Sequence, residues 1–433
     1  MQRGVYGTLE SCDPPITIPA WSAMLSGKSP GELGVYGFRN RKSWAYDSHK
    51  IATSLAIKSP RIWDVLSEHN LSSSVIGVPQ TFPIKPLNGT MVSGLLTPDI
   101  DSPCTYPEDL KDDLIKNVGD IRFDATPFRT NELDNVLKRI YALMQNRFAV
   151  ARYMLENDPC DFFMMVEMGL DRLHHAFWKF CDPNHPQFVQ GNSYENVFKK
   201  YYEAMDEEIG TLLQMLDDDT NILVVSDHGA QPLHGGIRIN QWLINEGYLT
   251  LNQAPPANRP ISADIIDWTR TIAWGDGGYY ARICLNLDGR EPNGIVPQND
   301  YKTFRDEIKR KLSKVILPDG AEIENTILYP DQTYPKTNGH PPDLIVYFDN
   351  LKYRSIGTLQ GEEVYSVNND QGPDGANHAR HGIWMGKGEG LPTDGSFVPA
   401  SLYDVFPTLL NWFNIHAQTE LTGHSLLNRD TLN

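Results

Sequence analysis

The chain has 433 residues, 40% of them apolar and 21% charged, an ordinary globular balance that buries a core without disulfide or metal staples. Lysine and arginine number 38 against 55 aspartates and glutamates, a net charge of −17. That excess excludes a general nucleic-acid coat and a binder of anionic membranes, which need a basic face, but it leaves a small phosphorylated ligand open where cations are supplied locally.

In chain order, a helix is expected over Ala20–Leu25, behind Thr17 and Pro19. Apolar runs predict buried strands at Ser74–Val78, Phe162–Val166, Asn221–Val225, Leu344–Phe348 and Gly382–Met385. Asp171 is placed to open a helix, and Asn196–Leu216 carries Val197, Tyr201, Met205, Ile209, Leu212, Leu213 and Leu216 at helical spacing. A further amphipathic helix is expected at Tyr301–Val315. The alternation predicts an α/β fold with a mostly parallel central sheet and helices on both faces. Two stretches break it. Residues 79–125, rich in Pro, Gly, Thr and Asp, read as an irregular insertion covering a site. Residues 252–342, opening with NQAPPANRP, read as a cap subdomain. Length alone suggests about two or three domains, but the pattern reads better as one catalytic domain over 1–433 carrying these two insertions.

Five cysteines, Cys12, Cys104, Cys160, Cys181 and Cys284, form no CxxC pair, so neither a disulfide framework nor a zinc ribbon is suggested. The first residues lack a basic-then-apolar leader and no run of about 18 apolar residues occurs, so a cytoplasmic location is expected.

Four groups of residues carry chemistry. Asp227 and His228 fall just past a strand's carboxyl end, where open α/β sheets bind ligands, and both are good zinc-type ligands. Asp171 and His175 stand at i and i+4, on one face of the expected helix, whereas His174 points about 100° away. One of His378 and His381, in GANHARHGI, is placed to complete that set. Thr17 sits at a helix start, where free N–H groups receive phosphate and a metal can activate its hydroxyl. Ser22 competes as nucleophile but lies mid-helix. The alternatives are a capping Thr17, a capping Asp171 and incidental histidines.

Together these pieces resemble the alkaline phosphatase superfamily, and within it the type I phosphodiesterase/nucleotide pyrophosphatase family. The resemblance rests on TIPAW…GKSPGELG, NGTMVSG, DRLHHAFW, SDHG, GREPNGIV, PDLIV, HARHGI and SLYDVFPTLL, in that order. It implies cleavage of phosphodiester or pyrophosphate bonds in small nucleotide-like substrates through a threonyl-phosphate on Thr17. It implies two divalent ions, zinc or manganese: one on Asp171, His175 and His378, the other on Asp227, His228 and Thr17. Asn40, with Arg39 beside it, is the candidate for a phosphate oxygen. The family also opens with a strand ending in a metal-ligating Asp, well ahead of the nucleophile. Only sixteen residues precede Thr17, with Glu10 and Asp13 as the upstream acids, so that strand is expected to be missing, as if the chain started at an internal Met. A phosphomonoesterase or phosphomutase of the same superfamily, or a binding protein impaired by the missing Asp, are the alternatives. A sulfatase fits less well, because Cys12-Asp13-Pro14-Pro15-Ile16 lacks that branch's arginine. Trp268, Trp274, Tyr279 and Tyr280, in the second insertion, are available to stack a base or to pack locally.

Overall fold

The computed structural model describes residues 4–253, 260–359 and 361–428. Part of the NQAPPANRP segment lies outside these residues. All five expected strands form, at Ser73–Ile76, Phe162–Met165, Ile222–Val225, Leu344–Phe348 and His381–Lys387. The expected helices form at Thr17–Ser26, Gly169–Cys181, Val197–Leu213 and Tyr301–Leu312. The last is shorter than expected because Lys314–Ile316 turns back as a strand against Glu322–Leu328.

The fold is α/β. Two four-stranded sheets carry the site. In one, Ser73–Ile76 lies between Gly89–Val92 and Phe162–Met165, all parallel. In the other, His381–Lys387 lies antiparallel between Val5–Glu10 and Ile222–Val225. An eight-stranded sheet with its own apolar core spans the chain from Gly235 to Ser366.

Two expectations change. Gly89–Val92 sits inside the supposed irregular insertion 79–125, yet it is a full member of the parallel sheet. Leu344–Phe348 belongs to the eight-stranded sheet, antiparallel to Ala281–Leu285 and Glu322–Leu328. A short, fully buried apolar run shows that a strand is covered on both faces but does not say in which sheet.

The two site-bearing sheets each end on an unpaired apolar edge among the described residues. Phe162–Met165 pairs only with Ser73–Ile76, and Ile222–Val225 only with His381–Lys387. Phe162, Met164, Leu223 and Val225 pack into one core cluster, and Phe163 and Met165 into another behind the sheet. Every residue of these two strands is nonetheless only half-buried, whereas Ser73–Ile76 is fully buried. For Phe162–Met165 both faces are covered, so the residual exposure lies along the edge. Hydrogen exchange should therefore find edge-facing amides of Phe162–Met165 and Ile222–Val225 fast and those of Ser73–Ile76 slow. Equal protection in all three strands would mean that another segment pairs with these edges in solution.

Candidate functional site

The helix Thr17–Ser26 starts three residues earlier than expected. Ile16 is its N-cap in extended conformation, and Pro19 falls in the first turn, where a missing N–H costs nothing. No side-chain cap is made at this end, so Thr17 is not a capping residue. Its buried hydroxyl lies 3.5 Å from His228 Nε2. Ser22, the competing nucleophile, instead donates to the Ile18 carbonyl at 2.6 Å, and it also contacts Gln80.

Asp227 and His228 follow the strand Ile222–Val225. His228 Nδ1 sits 2.9 Å from the Gly229 carbonyl, which fixes its proton there and leaves the Nε2 lone pair toward Thr17 and Asp227. Asp227 Oδ2 is 3.3 Å from that Nε2 and is buried with no hydrogen-bond partner. Burial raises the Asp227 pKa, although His228 opposes it.

The second group starts at the helix Gly169–Cys181. The buried Glu167 carboxylate accepts from Gly169 N at 2.6 Å and Leu170 N at 3.0 Å, satisfying free donors at the positive helix end. Gly169 is needed here, because a Cβ would meet the Tyr201 hydroxyl at 2.3 Å. One turn on, Asp171 and His175 project together, with His175 Nε2 3.6 Å from Asp171 Oδ1. His175 Nδ1 is held at 2.8 Å by the buried Asp374 carboxylate. His378 arrives from the strand Ala376–Ala379, with Nδ1 3.0 Å from the Pro15 carbonyl and Nε2 3.9 Å from Asp171 Oδ1.

Asp171, His175 and His378 each offer a ligand atom within 4.8 Å of the others. The Asp171 carboxyl is buried, which raises its pKa, but His175 and Arg172 outweigh this and hold it well below the usual range. Burial, helped by His228, keeps His378 well below the usual imidazole range and therefore neutral. The two groups abut: the His228 and His378 rings stack at 3.8 Å. The pairing of Gly229–Pro232 with Ala376–Ala379 sets His378 opposite Ala230, and a Cβ on Gly229 would lie 2.1 Å from the His381 carbonyl oxygen at the start of the strand His381–Lys387.

Other candidates fall outside. His381 is exposed on its strand, and His174 turns to the Tyr202 hydroxyl at 3.2 Å among Trp178 and Phe198. Burial lowers the His174 pKa to about 4. Asn40 spends its amide on its own loop, accepting from Tyr36 N at 2.7 Å and donating to Gly37 O at 2.8 Å. Arg39 is exposed. Neither makes a hydrogen bond or ion pair to the two groups among the described residues. Asp13 is neutralised by Arg380 and the Tyr347 hydroxyl, and Glu10 also reaches Arg380, at 3.4 Å. Of the four aromatics, Trp268 stacks on Tyr46 and Trp274 packs edge-on to both, while Tyr280 joins a separate core cluster. Tyr279 alone comes to the site, stacked on His378 at 4.3 Å with its hydroxyl 3.5 Å from His175 Nε2. Sequence reasoning missed Asp374, Glu167, the Pro15 carbonyl and the Asp124 carboxylate that pairs with Arg172. An Asp four residues upstream of the candidate His378, in DGANH, was the one available signal for Asp374.

The sequence profile of the type I phosphodiesterase/nucleotide pyrophosphatase family matches residues 1–384, and the chain belongs to that family, within the alkaline phosphatase superfamily. A search of curated proteins finds no match. Among solved structures, human ectonucleotide pyrophosphatase/phosphodiesterase 5 is similar with a TM-score of 0.55 at 14% identity, covering 99% of this chain and 92% of that one. The murine protein gives 0.54 at 13% identity, covering 98% and 90%. An inactive threonine-to-alanine variant of the murine protein, in complex with AMP, gives 0.54 at 12% identity, covering 98% and 90%. No helix among the described residues is long and apolar enough to cross a membrane.

Replacing Asp374 by Asn removes the charge that orients His175, and zinc affinity should fall by about 10–100-fold in a chelator-competition titration. His381→Ala should leave that affinity unchanged.

Proposed function

We propose that the protein is a metal-dependent phosphohydrolase that cleaves phosphodiester or pyrophosphate bonds in small nucleotide-like substrates, with Thr17 as nucleophile. The observation that carries this reading is the orientation of three histidines. His175, His228 and His378 each commit Nδ1 to an oxygen and turn Nε2 toward Asp171 or Asp227. Lone pairs facing carboxylates repel unless cations stand between them, so the donor set fits two divalent ions of the zinc or manganese kind. Asp171, His175 and His378 would hold one, and Asp227, His228 and Thr17 the other. Bound ions supply charge stabilisation of the pentavalent phosphorus and acidify the nucleophile and water.

The chain's own residues do the rest. Thr17 Oγ1 attacks phosphorus in line, the P–O bond to the leaving group breaks, and the phosphoryl group rests on Thr17. Free N–H groups at the start of the helix Thr17–Ser26 face its phosphate oxygens. Water then attacks phosphorus, the bond to Oγ1 breaks, and threonine is regenerated. The AMP complex of the murine structural neighbour and the inactivity of its threonine variant support a nucleotide-like substrate and a threonine nucleophile.

Thr17→Ala should abolish hydrolysis of bis-p-nitrophenyl phosphate in the presence of zinc or manganese, with an unchanged circular dichroism spectrum. Wild-type protein should bind two ions per chain by metal analysis. Activity surviving in Thr17→Ala would refute the nucleophile, and a chain that takes up no metal would favour a binding protein.

A further inference from the structure

Beside the metal-ligand cluster lies a second set of charges that the hydrolytic reading does not use. Asp374 accepts from Arg129 Nε at 2.8 Å and stands 3.6 Å from Arg354 Nη1. It is the one carboxylate ion-paired with either guanidinium among the described residues. The next acid, Asp370, is occupied by Gly357 N at 3.0 Å. The Asp374 pKa is pulled down to about 2: burial opposes this, and His175 and the two arginines outweigh it.

Arg354 is 5% exposed, and its Nε and Nη1 are buried with no hydrogen-bond partner. Burying guanidinium donors without acceptors is costly. The Tyr279 ring offsets part of that cost, lying 5.4 Å from Arg354 and 5.7 Å from Arg129. The Tyr279 hydroxyl accepts from Arg129 Nη2 at 2.5 Å, so its own proton points elsewhere, and its other neighbour is His175 Nε2 at 3.5 Å. Arg129 itself is reachable, with its side chain 22% exposed. The contrast with Arg172 is informative. That guanidinium is fully used by Asp124 and Asp171, at 2.7–3.0 Å, and has no capacity left.

The cluster therefore holds two permanent cations against one paired carboxylate, with spare N–H and O–H donors, directly beside the candidate metal centre. Guanidinium forks plus a phenol match an oxyanion's acceptor geometry. We propose that Arg129, Arg354 and Tyr279 form a subsite for a second anionic group of the substrate, adjoining the phosphate that is cleaved. This deepens the hydrolase reading and rests on it for the word substrate. It assigns the preferred class as esters carrying a further phosphate or carboxylate next to the scissile phosphorus. Arg354 comes from the strand Tyr353–Ile356 of the eight-stranded sheet, Tyr279 from the turn before Ala281–Leu285 and Arg129 from the loop before the helix Leu133–Asn157, so the subsite closes only where that sheet meets the core.

The test is calorimetric titration of EDTA-treated full chain with inorganic pyrophosphate and, separately, malonate. Wild type and Asp171→Asn should bind, whereas Arg129→Gln and Arg354→Gln should each weaken binding about tenfold or more, the worth of a charged hydrogen bond. Arg129→Lys should recover part of the loss, because it keeps the charge without the fork. Preference for pyrophosphate assigns a phosphate group, and preference for malonate a carboxylate. If Arg354→Gln does not fold, the more exposed Arg129→Gln carries the test. Equal binding in wild type and Arg129→Gln, or loss in Asp171→Asn alone, would overturn the subsite. In turnover, kcat/KM for ATP should fall about tenfold further than for bis-p-nitrophenyl phosphate in Arg129→Gln. Intact pyrophosphate binding with no hydrolysis of any ester would defeat the hydrolase reading and leave the oxyanion site standing.

Discussion

Everything at this site depends on where three imidazole protons are held. A neutral imidazole that commits one nitrogen as donor offers the other as a lone pair. Asp374, the Gly229 carbonyl and the Pro15 carbonyl hold the Nδ1 side of His175, His228 and His378. The three Nε2 lone pairs then face Asp171 and Asp227, whose oxygens are acceptors as well. A buried pocket of acceptors facing acceptors is strained by itself and becomes favourable around cations. Asp227 Oδ2, buried without a donor, is the most direct sign of it.

The fold supplies this arrangement through backbone, not only through the ligands. The Pro15 carbonyl belongs to the segment that leads into the Thr17 helix, so the same few residues aim both Thr17 and His378. Gly229 permits the close approach of the His381 carbonyl beside His228, which stacks on His378. Glu167 and Gly169 set the start of the helix carrying Asp171 and His175. Small residues and carbonyls of this kind have no chemistry of their own, yet a Cβ at Gly169 would crowd the Tyr201 hydroxyl and Glu167, and one at Gly229 the His381 carbonyl.

This division explains what was legible in the sequence. Asp171, His175, Asp227, His228 and Thr17 were readable because each follows a local rule: an i, i+4 pair, a strand's carboxyl end, a helix start. His378 was readable from local rules only as one of two histidines; the family resemblance chose it, and the strand pairing opposite Ala230 sets it apart from His381. Asp374, Arg129 and Tyr279 were illegible as partners, since Asp374 lies 245 positions from Arg129 and 199 from His175, and Tyr279 lies 150 from Arg129. Apolar runs located five strands, but pattern alone did not assign Leu344–Phe348 to the eight-stranded sheet, and it missed Val5–Glu10 and Gly89–Val92 altogether. Sheet membership is decided by hydrogen-bond partners far away in the chain, and a buried strand presents the same residues to any of them.

The net charge of −17 acquires a different meaning in this light. Averaged over the surface it repels polyanions, but averages do not act at a binding site. Locally, Asp171 and Asp227 are the acids that divalent ions would neutralise, and Arg172 is already spent on Asp124 and Asp171. Arg129 and Arg354 share one carboxylate between them, and that carboxylate also orients His175. Asp374 thus ties the two charge systems together: the carboxylate that pairs with both arginines is the one that orients His175. An anion drawn to the arginines would therefore act, through that single buried carboxylate, on the position of a residue proposed to hold a metal ion.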